Sequence, residues 1–102
     1  MDFEWDADKD AENRAKHGIS FQEATHIFDG LVLTKIDDRE DYGEVRDITM
    51  GMLSPDAVLV VVHTDRGEKT RLISARKANR RERQVFYDYL ATTFEGHWSH
   101  TG

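Results

Sequence analysis

The sequence predicts an α+β domain in which two N-terminal helices precede a four-stranded antiparallel sheet and a C-terminal helix. Three features support this: two capped helix starts near the N-terminus, four β-branched runs between residues 31 and 76, and an amphipathic segment after them. A chain of 102 residues has the length of one compact domain. We therefore expect a single domain over residues 1–102, with a frayed tail from about residue 96.

The first helix is predicted to begin after Asp6 and to end before Gly18. Asp6 is a favoured N-cap residue, and acidic residues in the first turn with basic residues in the last turn complement the helix dipole. Gly18 is the residue type expected just past a helix end. Ala7, Ala11 and Ala15 form a stripe of small residues, which predicts close packing of this helix against a neighbour.

The second helix is predicted to follow directly. Ser20 and Glu23 have the spacing of a capping box, in which each side chain accepts a hydrogen bond from the other residue's backbone N–H. The dipeptide at residues 29–30, Asp-Gly, is expected to end the helix. The apolar face has helical spacing and consists of Phe21, Ala24, Ile27 and Phe28.

Four strands are predicted at residues 31–36, 45–53, 56–64 and 69–76. The third run is apolar throughout, which is typical of a strand buried on both faces. The turn at residues 65–68 is so short that the fourth strand must be antiparallel to the third. If the fourth strand alternates evenly, Arg71, Ile73 and Ala75 face one way and Thr70, Leu72, Ser74 and Arg76 face the other.

The last helix is predicted to begin near Asn79, because Asn79 and Glu82 repeat the capping-box spacing. Gly96 is expected to end it. The residues of its apolar face are Val85, Phe86, Tyr89 and Leu90.

Composition excludes several classes of protein. The chain has no cysteine, so disulfides, thiolate metal sites and a cysteine nucleophile are excluded. Its longest apolar run, AVLVVV, is far shorter than a membrane span, and its first residues are acidic where a signal peptide is basic. We expect a cytoplasmic protein that does not associate with membranes.

The charge of the chain is distributed unevenly. The net charge is −6, yet residues 1–51 carry −8 and residues 66–83, the basic segment, carry +6. The basic segment spans the junction between the fourth strand and the last helix, where arginines beside a helix N-terminus suit an anion such as phosphate. The alternative is a solvated basic face whose surface ion pairs contribute little. The charge pattern leaves both interpretations open.

Other polar residues give weaker indications of function. His17 ends the first helix, where it is stabilised by the dipole or serves as a proton carrier. His63 either faces the same site as the basic segment or only completes its strand. The acidic residues between 37 and 44 suggest Mg²⁺ ligands or, more commonly, a solvated loop. No glycine-rich phosphate loop or nucleophile elbow is present, and we expect neither a metal nor a cofactor.

Three stretches of the sequence resemble the BrnT family of toxins. They are FEWDADKDAENRAKHGISFQEATHIF, EDYGEVRDITMG and TRLISARKANRRERQVFY, in that order. Together they cover most of the chain. The motifs W-D-x-x-K, K-H-G-x-S-F and I-S-A-R-K-A-N-R-R-E-R are specific in combination, although each alone is weak.

This resemblance implies a RelE-like fold and a ribonuclease toxin of a type II toxin–antitoxin system, which inhibits translation by cleaving RNA. It also implies a ribbon-helix-helix antitoxin partner, similar to BrnA, and promoter DNA bound through the complex. In the alternative interpretation, the protein has the same fold but no catalytic activity, and it is a co-repressor or binding subunit of that complex. The acidic first half either steers a basic antitoxin or serves only solubility.

RNA cleavage without a metal needs a positioned 2′-OH, cations around the phosphorane and a proton donor for the leaving oxygen. Arg76 and Arg80 are expected to hold the scissile phosphate, and Lys77 or His17 to transfer protons. Tyr87 either stacks on a base or packs in the core, and Glu82 is either a general base or only a cap. The candidate catalytic residues are thus Arg71, Arg76, Lys77, Arg80 and His17, and the RNA-binding candidates are Arg66, Arg81, Arg83 and Tyr87.

Overall fold

A computed structural model describes the backbone of residues 1–101 and the side chains of residues 1–93. Its elements are β1 (Asp2–Glu4), α1 (Ala7–His17), α2 (Phe21–Ala24) followed by a 3₁₀ helix (Thr25–Asp29), β2 (Val32–Ile36), β3 (Asp47–Ser54), β4 (Ala57–Arg66), β5 (Lys69–Lys77) and α3 (Arg80–Thr101). The bounds of α3 extend past Gly96, where the sequence predicts its end. The tail expected from about residue 96 lies outside the residues whose side chains are described. Within the described chain, no helix is both long enough and apolar enough to cross a membrane.

The five strands form one mixed sheet in the order β1-β5-β4-β3-β2. The antiparallel pairs β2–β3, β3–β4 and β4–β5 agree with the predicted meander. The prediction of a four-stranded, wholly antiparallel sheet is wrong, because β1 precedes the first helix and pairs with β5 in parallel, from Asp2↔Lys69 to Glu4↔Arg71. A three-residue strand has no periodicity of its own, and it is ordered by pairing with a segment far along the chain.

The sheet separates two hydrophobic clusters, so β4 is buried on both faces as predicted. The first cluster lies under α1, α2 and the 3₁₀ helix and includes Ile19, Phe21, Ala24, Ile27, Leu59, Val61, Leu72 and Ala75. The second lies under α3, on what we call the α3 face, and includes Val58, Val60, Ala78 and Phe86. The predicted apolar residues of the second helix therefore face the core, although the α-helix changes to a 3₁₀ helix after one turn.

A bulge changes the direction in which the side chains of β5 point. The register between β4 and β5 shifts between Val62 and His63, and the pairing skips Ile73. Leu72 and Ala75 consequently pack into the same cluster. The even alternation predicted for this strand is therefore wrong, because the extra residue of a bulge reverses the facing of every residue beyond it.

Asn13 closes the edge of β5 that β1 leaves uncovered. Its Nδ2 donates to the carbonyls of Ala75 at 2.7 Å and Ile19 at 3.0 Å, and its Oδ1 accepts from the Ala75 N–H at 3.1 Å. Asn13 is buried, whereas the predicted packing stripe of Ala7, Ala11 and Ala15 is exposed. The stripe prediction is wrong because α1 is held to the strand edge by an amide, on another side of the helix.

The predicted helix caps are confirmed. Asp6 Oδ1 accepts from the first-turn backbone of α1, and Gly18 takes the left-handed conformation with φ at 70°. Ser20 and Glu23 form both hydrogen bonds of a capping box before α2. Each of these capping residues therefore lies at the helix start or end that the sequence predicts.

Candidate functional site

A groove opens on the α3 face between the sheet and the first turns of α3. It consists of two adjoining cavities of about 280 and 230 Å³ that share Lys35, Ile48, Val60 and Glu82. Leu33, Ile48, Met50, Val60 and Val62 give it an apolar floor. We call it the basic groove because four cationic side chains line it: Lys35, Arg39, Arg76 and Arg81.

Arg76 and Glu82 form a bidentate ion pair in this groove. Arg76 Nη1 donates to Glu82 Oε1 at 2.7 Å, and Nη2 donates to Oε2 at 2.8 Å. Glu82 Oε1 also accepts from the Asn79 N–H at 2.9 Å, and Asn79 Oδ1 accepts from the Glu82 N–H at 2.8 Å. The predicted capping box of α3 is thus confirmed, and its carboxylate simultaneously orients the arginine on β5.

Hydrogen bonds from Arg76 lower the pKa of Glu82 to about 2, and the bond from the Asn79 N–H and the charge of Lys35 act in the same direction. The same pair raises the pKa of Arg76. A carboxylate with so low a pKa is a weak base at neutral pH. As arranged here, Glu82 is suited to capping and positioning rather than to general base catalysis.

Lys35 and Arg39 line the groove although sequence reasoning did not select them. Lys35 is paired with Ile48 in the sheet, so it shares the α3 face with Leu33. Leu33 and Lys35 alternate in the first predicted strand, residues 31–36, and this spacing could have placed Lys35 on the same face of the sheet as Leu33. Arg39 has no such signal, because a contact outside regular structure fixes it: its Nε and Nη2 donate to Asp37 at 2.7 and 2.8 Å.

Asp37 is buried, and the hydrogen bonds from Arg39 hold the pKa of its carboxyl well below its usual range. Glu44, in the same acidic loop, pairs with Arg46 and Arg66. The loop is therefore tied down by arginines. Within the described residues there is no cluster of three acidic or histidine side chains that could hold a metal ion.

The groove brings together two of the predicted site residues, Arg76 and Arg81. Lys77 and Arg80 follow Arg76 closely in sequence but are exposed, and the described residues that line the groove do not include them. Tyr87 is 39% exposed on α3, with its ring centroid 6.1 Å from that of Phe86. Its ring is therefore accessible for stacking.

The other predicted arginines make contacts elsewhere. Arg71 Nη1 donates to Glu4 Oε2 on β1 at 2.7 Å, and Arg66 Nη2 donates to Glu44 Oε1 at 3.1 Å. Arg83 Nη1 donates at 3.0 Å to a backbone carbonyl just before α3. The arginines of the basic segment therefore do not converge on one site: some line the groove, and others bond to Glu4, Glu44 or the backbone.

His17 lies in a different crevice, between α1 and β5, with a volume of about 230 Å³. Lys9, Glu12, Asn13, Lys16, Ile73 and Ser74 line it as well. Ser74 lines both this crevice and the basic groove, so the two depressions adjoin at β5. The structure does not bring His17 into the same cavity as Arg76.

His63 is buried on the other side of the sheet from the groove. Its Nε2 lies 2.7 Å from Thr49 Oγ1, and its ring meets Phe28 edge-on with 5.2 Å between ring centroids. Of the two interpretations, the structure supports a histidine that completes its strand within the core. Burial lowers its pKa, against smaller opposing effects of Asp47 and Asp65.

We expect this histidine to make the fold sensitive to mild acid. The unfolded chain binds a proton at the ordinary pKa of 6.5, whereas the folded chain binds it only at lower pH. Stability is therefore complete above pH 6.5 and declines below it, levelling off beneath the lowered pKa. Urea unfolding at pH 7.5 and 5.0 should show that His63→Gln loses less stability between these two pH values than the wild type does.

The control is His26→Gln, which removes a histidine that is exposed rather than buried and so tests whether the effect is specific to His63. An unchanged pH dependence in His63→Gln would contradict this prediction.

Comparison with known proteins identifies the family. A family model described as the ribonuclease toxin BrnT of type II toxin–antitoxin systems matches residues 5–82. No curated protein gives a significant sequence match. Among solved structures, the 1.1 Å crystal structure of the Brucella abortus ribonuclease toxin BrnT is 26% identical with a TM-score of 0.61, and the match covers 78% of this chain and 99% of that chain.

The family match includes all four cations of the basic groove and ends at Glu82. It confirms the resemblance found in the three sequence stretches. The chain belongs to the BrnT family of ribonuclease toxins of type II toxin–antitoxin systems.

Proposed function

We propose that this chain is an endoribonuclease that cleaves RNA in the basic groove without a metal ion, and thereby inhibits translation. The observation that carries the proposal is the convergence of Lys35, Arg39, Arg76 and Arg81 on one groove in a chain with a net charge of −6. An acidic protein repels RNA at long range, so a local cluster of cations has to provide the attraction. Membership of a ribonuclease toxin family agrees with this use of the groove.

In the proposed reaction the ribose 2′-hydroxyl loses its proton to water, its oxygen attacks the adjacent phosphorus, and the bond to the 5′-oxygen breaks as that oxygen takes up a proton. The products are a 2′,3′-cyclic phosphate and a 5′-hydroxyl. Arg76 and Arg39 are placed to bind the non-bridging oxygens as negative charge develops on them. The apolar floor excludes water from one side of the bound phosphate, which strengthens these interactions.

The sequence assigns proton transfer to Lys77 or His17, but neither is among the described residues that line the groove. We propose Lys35 for protonating the leaving 5′-oxygen, since it lines both cavities of the groove. Arg81 lines the larger cavity, which supports a contact with a flanking nucleotide, and the exposed ring of Tyr87 on the same helix supports stacking on a base.

A ribbon-helix-helix antitoxin of the BrnA type is the proposed protein partner, and the complex is proposed to bind promoter DNA. A protein partner is supported by exposed large apolar side chains on and beside β2, which is an edge strand of the sheet. They are Leu31 at 50%, Ile36 at 65% and Val45 at 67% exposed.

The test is cleavage of a 5′-labelled RNA by the purified, antitoxin-free chain in excess EDTA. We expect discrete fragments that end in 2′,3′-cyclic phosphate, and a Lys35→Gln/Arg39→Gln variant that cleaves at least about a hundredfold more slowly. Cleavage that requires added Mg²⁺ would contradict the metal-free mechanism. A folded chain that cleaves under neither condition, yet binds its antitoxin, would be a non-catalytic subunit of the complex.

A further inference from the structure

The Glu82 carboxylate is bound to the arginine that the proposed reaction needs for the phosphate. We propose that Glu82 occupies, in the free toxin, the place on Arg76 that an RNA phosphate takes when substrate binds. Substrate binding is then an exchange of one anion for another. This inference rests on the proposed binding of RNA in the basic groove and adds how that binding is limited.

Geometry supports the exchange. Arg76 presents two parallel N–H donors to the carboxylate at 2.7 and 2.8 Å, and the Asn79 N–H presents a third at 2.9 Å. Two oxygens of a phosphate fit the same guanidinium fork that two carboxylate oxygens occupy. The pair is accessible to a ligand, because the side chains of Arg76 and Glu82 are 41% and 27% exposed and both line the 230 Å³ cavity.

Charge supports it as well. Glu82 engages both terminal nitrogens of Arg76, so a phosphate that binds the same paired donors has to displace the carboxylate, and the two anions repel each other at that distance. Lys35 and Arg39 line the same cavity and attract the incoming phosphate. Glu82 then turns towards solvent, where its carboxylate is hydrated at little cost because it is already partly exposed.

The exchange also affects α3. Glu82 supplies one half of the capping box that begins this helix, so its departure leaves the Asn79 N–H without that acceptor. RNA binding is therefore coupled to loosening of the first turn of α3. In the free toxin the same contact keeps Arg76 aligned while limiting its affinity for phosphate.

The exchange predicts that Glu82→Gln changes RNA affinity and stability in opposite directions. The probe is a short fluorescein-labelled RNA with 2′-O-methyl groups, which binds without being cleaved. We expect the Kd from fluorescence anisotropy to fall about tenfold, because a charge-assisted competitor is lost. We expect the Tm to fall by about 5 °C, because the ion pair and part of the cap are lost.

Two controls separate this inference from a structural role. Asn79→Ala breaks the other half of the capping box and leaves the ion pair, so the Tm should fall without tighter RNA binding. In an Arg76→Gln background, Glu82→Gln should produce no gain in affinity. A gain that persists there would reveal only a general effect of removing a negative charge, and would overturn the exchange.

The outcomes also distinguish this inference from the proposed function. If the wild-type chain binds and cleaves RNA but Glu82→Gln binds it no more tightly, the exchange is wrong and the proposed function stands. If the wild-type chain does not bind the RNA, both are wrong.

Discussion

Replacing Arg76 by glutamine is expected to reduce the rate of RNA cleavage by about a hundredfold to a thousandfold. Arg76 is the groove arginine presented from a strand of the sheet, β5, so its position in the groove is set by the backbone of the sheet. Preorganised charge of this kind stabilises the transition state without rearrangement during the reaction. Glutamine removes the charge and the donor fork while retaining much of the side-chain length.

The measurement is the single-turnover cleavage rate of a labelled RNA, with circular dichroism to establish that the variant is folded. Arg76→Lys is a useful second variant, because it keeps the charge but loses the paired donors. We expect the cleavage rate of Arg76→Lys to lie between the rates of the wild type and Arg76→Gln.

Arg71 is the matched control. It lies on the same strand and also pairs with a glutamate, at 2.7 Å, with side-chain exposures of 27% for Arg71 and 31% for Glu4. The sequence proposes a catalytic role for both arginines, whereas the groove contains only Arg76 of the two among the described residues. The rate of RNA cleavage by Arg71→Gln should therefore differ only a few-fold from that of the wild type. Equal losses in the two variants would contradict the placement of the site in the groove.

Features of the fold that depend on local interactions were predictable from the sequence. The caps at Asp6, Ser20 and Asn79 and the short turn before β5 are each determined by a few neighbouring residues. Capping hydrogen bonds and short turns join atoms close in sequence, so residue type and spacing are enough to predict them. The motifs that carry the family resemblance are likewise short runs of residues that are close in sequence.

Features that depend on distant partners were not predictable in this way. β1 is ordered by pairing with β5, and the bulge at Ile73 lies where β5 pairs with β4 and contacts α1, both of which are distant in sequence. The set of cations that line the groove could not be predicted from the sequence for the same reason. The basic segment is continuous in sequence, but acidic partners far along the chain draw Arg66 and Arg71 away, while Lys35 and Arg39 reach the groove from the β2 region.

Asn13 connects these long-range features, and replacing it is expected to give the largest loss of stability. Asn13→Leu leaves three buried backbone groups without the partner they have now: the N–H and C=O of Ala75 and the C=O of Ile19. An unsatisfied buried polar group costs about 1–3 kcal/mol, so we expect the free energy of unfolding to fall by about 4 kcal/mol in total. A domain of this size has only about 5–15 kcal/mol of stability.

Urea unfolding checks this prediction, as a fall in the midpoint with an unchanged m-value. The control is Ala15→Leu, an exposed position on the same helix, which should change stability by less than about 0.5 kcal/mol. Ala75 immediately precedes Arg76, so the Asn13 contact also fixes the part of β5 that carries the groove arginine. Hydrogen exchange of the Ala75 amide should accelerate in Asn13→Leu, and a loss below about 1 kcal/mol would mean that water replaces the amide at this edge.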